Sequence, residues 1–160
     1  MTNAAFLAAL AMLIPPPPDW QPPHFSGPGL LCGTSYGIDL LAGESATTDW
    51  PGEFLITQVF GTDHIATAGG EVVIRELGRR AEDRPRGPTR AAGRIDGRPA
   101  HYHGDGLFAV TLERGNAVRT VTFEMPETFH EADRQAVFAR VHLTRPEERP
   151  CLRRDNPGGR

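Results

Sequence analysis

Apolar residues fall into three patterns along the chain. They run almost unbroken from Ala4 to Ile14, come in short or alternating groups through the middle, and recur at helical spacing at Val137, Phe138 and Val141. Alternation with period two places one set of side chains on one face of a strand, so the middle region predicts strand after strand.

Residues 34–41 read as a first strand and 53–60 as a second, whose Phe54, Leu55, Ile56, Val59 and Phe60 suggest burial on both faces. A third, 71–77, is built on Val72, Val73 and Ile74. Turn chemistry separates them at Gly43, Pro51-Gly52, Gly61-Thr62-Asp63 and Gly69-Gly70. Residues 78–88 are charged with almost no apolar member and read as an exposed loop.

The clearest pairing signal is Asp96-Gly97, because a type I′ turn needs positive φ at both central positions. It joins 92–95 to 98–103. The segment 107–112 then puts Phe108, Val110 and Leu112 on one face, turns at Arg114-Gly115-Asn116, and returns as 118–125 with Val121, Phe123 and Met125 inward.

Pro126 stops that strand. Thr128 with Glu131 three residues on forms a capping box, Val137, Phe138 and Val141 make an apolar stripe, and Pro146 and Pro150 forbid continuation. The predicted class is α+β: an antiparallel, strongly curved β-meander of about five to seven strands with one C-terminal helix packed on it.

The leading apolar run has the length of a signal-peptide core and falls short of the ~20 residues that cross a bilayer. It breaks into Pro15-Pro16-Pro17-Pro18, which a docked helix would rarely do. Residues 1–14 therefore read as a signal peptide, although Met1-Thr2-Asn3 brings no basic side chain. Residues 15–28 read as a proline-rich spacer in which no packed element forms, 29–152 as the single domain, and 153–160 as a disordered tail. The expected location is periplasmic or secreted, with no membrane span left after processing.

Export bears on the two cysteines, Cys32 and Cys151. An oxidising compartment and positions near opposite ends of the domain predict a disulfide between them. Gly29-Leu30-Leu31 before Cys32 lacks the residues of a lipoprotein signal and lies too far from the apolar run.

Composition excludes partners more than it names them. The net charge is −3, and no Lys accompanies the 17 basic residues, all Arg. A pI near 6.1 leaves no overall field for nucleic acid or anionic lipid. The arginines between Arg75 and Arg98 are diluted by Glu76, Glu82 and Asp83 and lack aromatic stacking partners, so no nucleic-acid site is expected.

One local constellation has chemical potential: His101-Tyr102-His103-Gly104-Asp105. Residues two apart in a strand share a face, so His101, His103 and Asp105 could converge on a divalent metal. The run opens like the H-x-H-x-D signature of metallo-β-lactamase-like hydrolases, but Gly106 stands at the next ligand position and the chain is far too short for that fold. No Glu follows at the spacing of a cupin site. His64, His130 and His142 are scattered singly, and Ser26, Ser35 and Ser45 lack a nucleophile-elbow setting.

Two functions from different classes are therefore expected. The first is a non-catalytic exported domain that binds an unknown small ligand or an envelope protein and needs no cofactor. The second is a small metal-dependent enzyme centred on the His101/His103 strand.

Overall fold

The computed structural model describes residues 18–49, 59–79, 89–114, 117–143 and 149–152. In order, the strands are β1 (His24–Ser26), β2 (Gly29–Cys32), β3 (Gly37–Leu40), β4 (Ser45–Thr48), β5 (Val59–Thr67) and β6 (Gly70–Arg79). After them come β7 (Arg90–Ile95), β8 (Arg98–Gly104), β9 (Leu107–Arg114), β10 (Ala117–Glu124), the helix α1 (Glu131–Phe138) and β11 (Val141–His142). Eight strands make one sheet in the order β1-β4-β5-β6-β10-β9-β8-β7, and β11-β3-β2 make a smaller one. The α+β class is as expected, with one helix among the described residues, near the C-terminus, and more strands than the five to seven predicted.

Ala46 near one edge of the large sheet and Ile95 near the other bury in the same cluster as Ile74 and Phe123 at its centre. A sheet whose two edges share one core has to bend around it. Leu31 and Ile38 of the small sheet and Phe138 of α1 fill the concave side. Phe138 meets Phe108 and Phe123 edge-on, at centroid distances of 5.5 and 5.8 Å. Burying such a ring contributes about 1.5–3 kcal/mol, with the edge contacts adding to it.

The hairpin of β7 and β8 forms where Asp96-Gly97 predicts it, with φ of 46° and 77° and Ile95 opposite Arg98. The β9–β10 pair likewise buries Phe108, Val110 and Leu112 against Val121, Phe123 and Met125.

Elsewhere the chain departs from the expected pattern. The stretch 22–28 is not all spacer: β1 pairs antiparallel with β4, placing the partly buried Phe25 opposite Ala46. An edge strand tolerates nearby prolines because one row of its backbone groups needs no partner, and Pro23 still accepts a hydrogen bond from the Thr48 N–H. The first predicted strand begins only at Gly37, because the Gly33 N–H bonds the Tyr36 carbonyl at 2.7 Å and closes a turn between β2 and β3.

Gly61-Thr62-Asp63 is no break. β5 runs through it, and the register against β6 shifts between Phe60 and Thr62, so the extra residue is absorbed as a bulge. Gly78 and Arg79 continue β6 and are not loop. The helix cap lies two residues later than Thr128: the His130 N–H donates to the Asp133 carboxylate at 2.9 Å. Val137 and Phe138 are its buried residues, and Val141 belongs to β11.

The predicted leader 1–14, most of strand 53–60, most of loop 78–88, the tail 153–160 and Gly115-Asn116 lie outside the described residues.

Cys32 and Cys151 form a disulfide, with Cα atoms 5.7 Å apart across 119 residues of sequence. Beside it the Leu152 N–H donates to the Leu30 carbonyl at 2.8 Å, so the end of the described chain docks on β2. Among the described residues, no helix is long and apolar enough to cross a membrane.

Candidate functional site

The predicted metal trio is dispersed by two local features of β8. His101 sits in regular register between Ala91 and Ala109 and is exposed. His103 is the extra residue of a bulge between Tyr102 and Gly104. Asp105 adopts a left-handed φ of 49° in the two-residue turn to β9. Strand alternation therefore ends before it reaches the carboxylate.

The two imidazoles remain neighbours: partial burial, and then the charge of His101, lower the pKa of His103. Among the described residues, no group of three or more His, Cys, Asp or Glu is placed to hold a metal ion. His64, a conceivable third ligand, is engaged elsewhere, with Nε2 2.8 Å from Asp49 and Nδ1 3.2 Å from Glu71. Partial burial opposes its protonation, but these two carboxylates prevail and raise its pKa.

Asp105 instead lines a cleft of about 220 Å³ at the end of the β8–β9 hairpin, beside α1. Its walls are Arg90, Tyr102, Asp105, Gly106, Phe108, Pro126, Glu127 and Arg134. Tyr102 and Phe108 are opposite one another across β8 and β9, with ring centroids 5.0 Å apart. The Arg90 guanidinium lies 4.9 Å from the Tyr102 centroid and the Arg134 guanidinium 5.6 Å from that of Phe108. A guanidinium over a ring face is attracted by the ring quadrupole while the N–H donors at its edge stay usable. Arg134 spends one of them on the Phe129 carbonyl, at 2.8 Å.

The turn that carries Asp105 is firmly set. Gly106 has φ of 73°, its carbonyl accepts the Met125 N–H at 3.0 Å, and a Cβ there would collide with the Met125 carbonyl oxygen. Among the described residues, none of Arg90, Asp105, Glu127 and Arg134 forms an ion pair with another.

A second opening on the other flank of α1, about 370 Å³, is different in kind. Two of its charges are paired, because Arg140 grips Glu44 through two N–H donors at 2.6 and 3.1 Å, while Asp133 accepts the His130 N–H at the helix cap. Glu44 also accepts the Leu41 N–H at 2.8 Å.

A third polar group lies inside the fold. Asp63 and Glu76, each 1% exposed, rise from β5 and β6 on the core face. Asp63 accepts hydrogen bonds from the Tyr36 hydroxyl and, at 2.7 Å, from the Thr48 hydroxyl. Glu76 accepts the Ser35 N–H at 3.0 Å and an Arg119 N–H at 2.9 Å, and Arg119 also donates to the Ser35 hydroxyl. These carboxylates fasten the 33–36 turn to the large sheet, and neither lines either opening beside α1.

As ligand-site residues, Arg90, Tyr102, Phe108, Glu127 and Arg134 are unmarked in the sequence, where Arg90 reads as part of an arginine-rich loop and Phe108 as a core position of its strand. Tyr102 and Phe108 meet through the β8–β9 pairing, and the two arginines reach them from β7 and α1. No protein-family model, no curated protein and no solved structure matches this chain.

Proposed function

We propose that this chain is a non-catalytic exported binding domain that holds a small ligand in the cleft formed by Arg90, Tyr102, Asp105, Phe108, Glu127 and Arg134. The observation that carries the reading is the pair of guanidiniums stacked on neighbouring rings beside that opening. Apolar walls with a few fixed polar groups are the usual make-up of a ligand site. The disulfide supports a location outside the reducing cytosol.

The test is a fragment screen by amide NMR on the oxidised, full-length protein. The reading expects hits whose shift changes gather at Tyr102, Gly106, Phe108 and Arg134. Hits confined to other surfaces, or none across a diverse library, would overturn it.

A further inference from the structure

We propose that the cleft selects a zwitterion of amino-acid size, its carboxylate held by Arg90 and Arg134 and its ammonium by Asp105 and Glu127. The proposal rests on the reading of the cleft as a ligand site and adds the class of ligand. Two cations and two anions line one small opening, yet among the described residues none of them neutralises another. Three of them have a support of their own: Arg90 rests on Tyr102, Arg134 on Phe108 and the Phe129 carbonyl, and Asp105 is set by the Gly106 turn.

A ligand entering this opening displaces water from the charged groups that it meets. A simple anion would satisfy the guanidiniums but face two carboxylates, and a simple cation would meet the converse. A neutral apolar molecule would offer none of these charges a partner in place of the water it displaces. A molecule carrying both charges completes both halves, and charge-assisted hydrogen bonds to guanidinium and carboxylate are the stronger class. The cleft volume of about 220 Å³ is below the roughly 300–1,000 Å³ of sites for drug-sized ligands, which limits the ligand to a small molecule. Tyr102 and Phe108 supply apolar wall for a side chain.

Isothermal titration of the oxidised full-length protein with the twenty free amino acids tests this, followed by the N-acetyl and the amide derivative of the tightest binder. The expected result is that at least one amino acid binds and that each capped form loses tenfold or more in affinity. Arg90→Gln should weaken the free amino acid and leave the amide unaffected, and Asp105→Asn should weaken the free amino acid and leave the N-acetyl form unaffected. Both positions are exposed, so these variants should fold, which amide spectra check.

Equal binding of the capped and free forms would overturn the proposal. So would fragments binding in the cleft while no amino acid does, an outcome that leaves the ligand-site reading standing. If neither fragments nor amino acids bind there, both readings fall.

Discussion

Arg119 donates to Glu76 at 2.9 Å and to the Ser35 hydroxyl at 3.0 Å, and so ties the turn after Cys32 to the middle of the large sheet. Glu76 is 1% exposed, so removing the guanidinium leaves a buried carboxylate with only the Ser35 N–H among these partners. Uncompensated buried charges of this kind cost about 3–5 kcal/mol. Arg119→Met should therefore lower stability by about 3 kcal/mol in urea unfolding. The Arg119→Met/Glu76→Leu double variant should recover much of that loss. Additive losses would show that the pair is not coupled.

The Cys32–Cys151 link closes a loop of 119 residues. In the chain-entropy account such a crosslink stabilises by about 5 kcal/mol, mainly by restricting the unfolded chain. Reduction, or Cys32→Ala together with Cys151→Ala, should lower the urea midpoint strongly. Under native oxidised conditions no thiol should be alkylated, since the structure has no free cysteine. Stoichiometric labelling of both cysteines in native protein would contradict the fold described here.

Stability should pass through a maximum near pH 6.5. The Asp49 and Glu71 carboxylates outweigh partial burial and raise the His64 pKa, so its contribution is full below its unfolded value of 6.5 and fades as pH rises through the folded value. Burial and His101 lower the His103 pKa, so its contribution is present above 6.5 and fades as pH falls. Asp39, held low by its hydrogen bond from Arg149 against partial burial, with His142 adding to the effect, loses its contribution only below pH 3.8. Urea melts across pH 5–8 should show His64→Gln flattening the alkaline limb and His103→Gln the acid limb. A wild-type profile rising steadily across that range would contradict these assignments.

Metal chemistry at His101 and His103 has its own check. Purified without a His tag, the protein should carry no stoichiometric transition metal, and His101→Ala should leave metal content and melting temperature unchanged. One equivalent of zinc lost on that substitution would restore the metal-enzyme alternative.

What could be read from the residues alone follows from how local its cause is. Asp96-Gly97 specifies its turn through two residues' φ preferences, and Val121, Phe123 and Met125 declare their face by alternation; both appear as expected. β4 is Ser-Ala-Thr-Thr, which carries no such pattern, and it forms because β1 and β5 flank it. The bulge at Gly61 uses as continuation a residue that more often marks an end.

The candidate site was legible only at Asp105, and with a different role. Its convergence with His101 and His103 assumed unbroken alternation, which the His103 bulge and the left-handed Asp105 remove. Arg90 and Arg134 stand 44 positions apart and meet the same opening only after β7 and α1 pack beside the hairpin. Spacing along the chain carries no trace of that.

The most direct measurement compares amide NMR titrations of the wild-type protein and an Arg90→Ala/Arg134→Ala variant with the tightest fragment or amino acid found. Saturable shift changes centred on Tyr102, Gly106 and Phe108 are expected in the wild type, with at least a hundredfold weaker binding in a variant that keeps its spectrum and disulfide. Undiminished binding by that folded variant, or shift changes centred away from the cleft, would contradict this expectation.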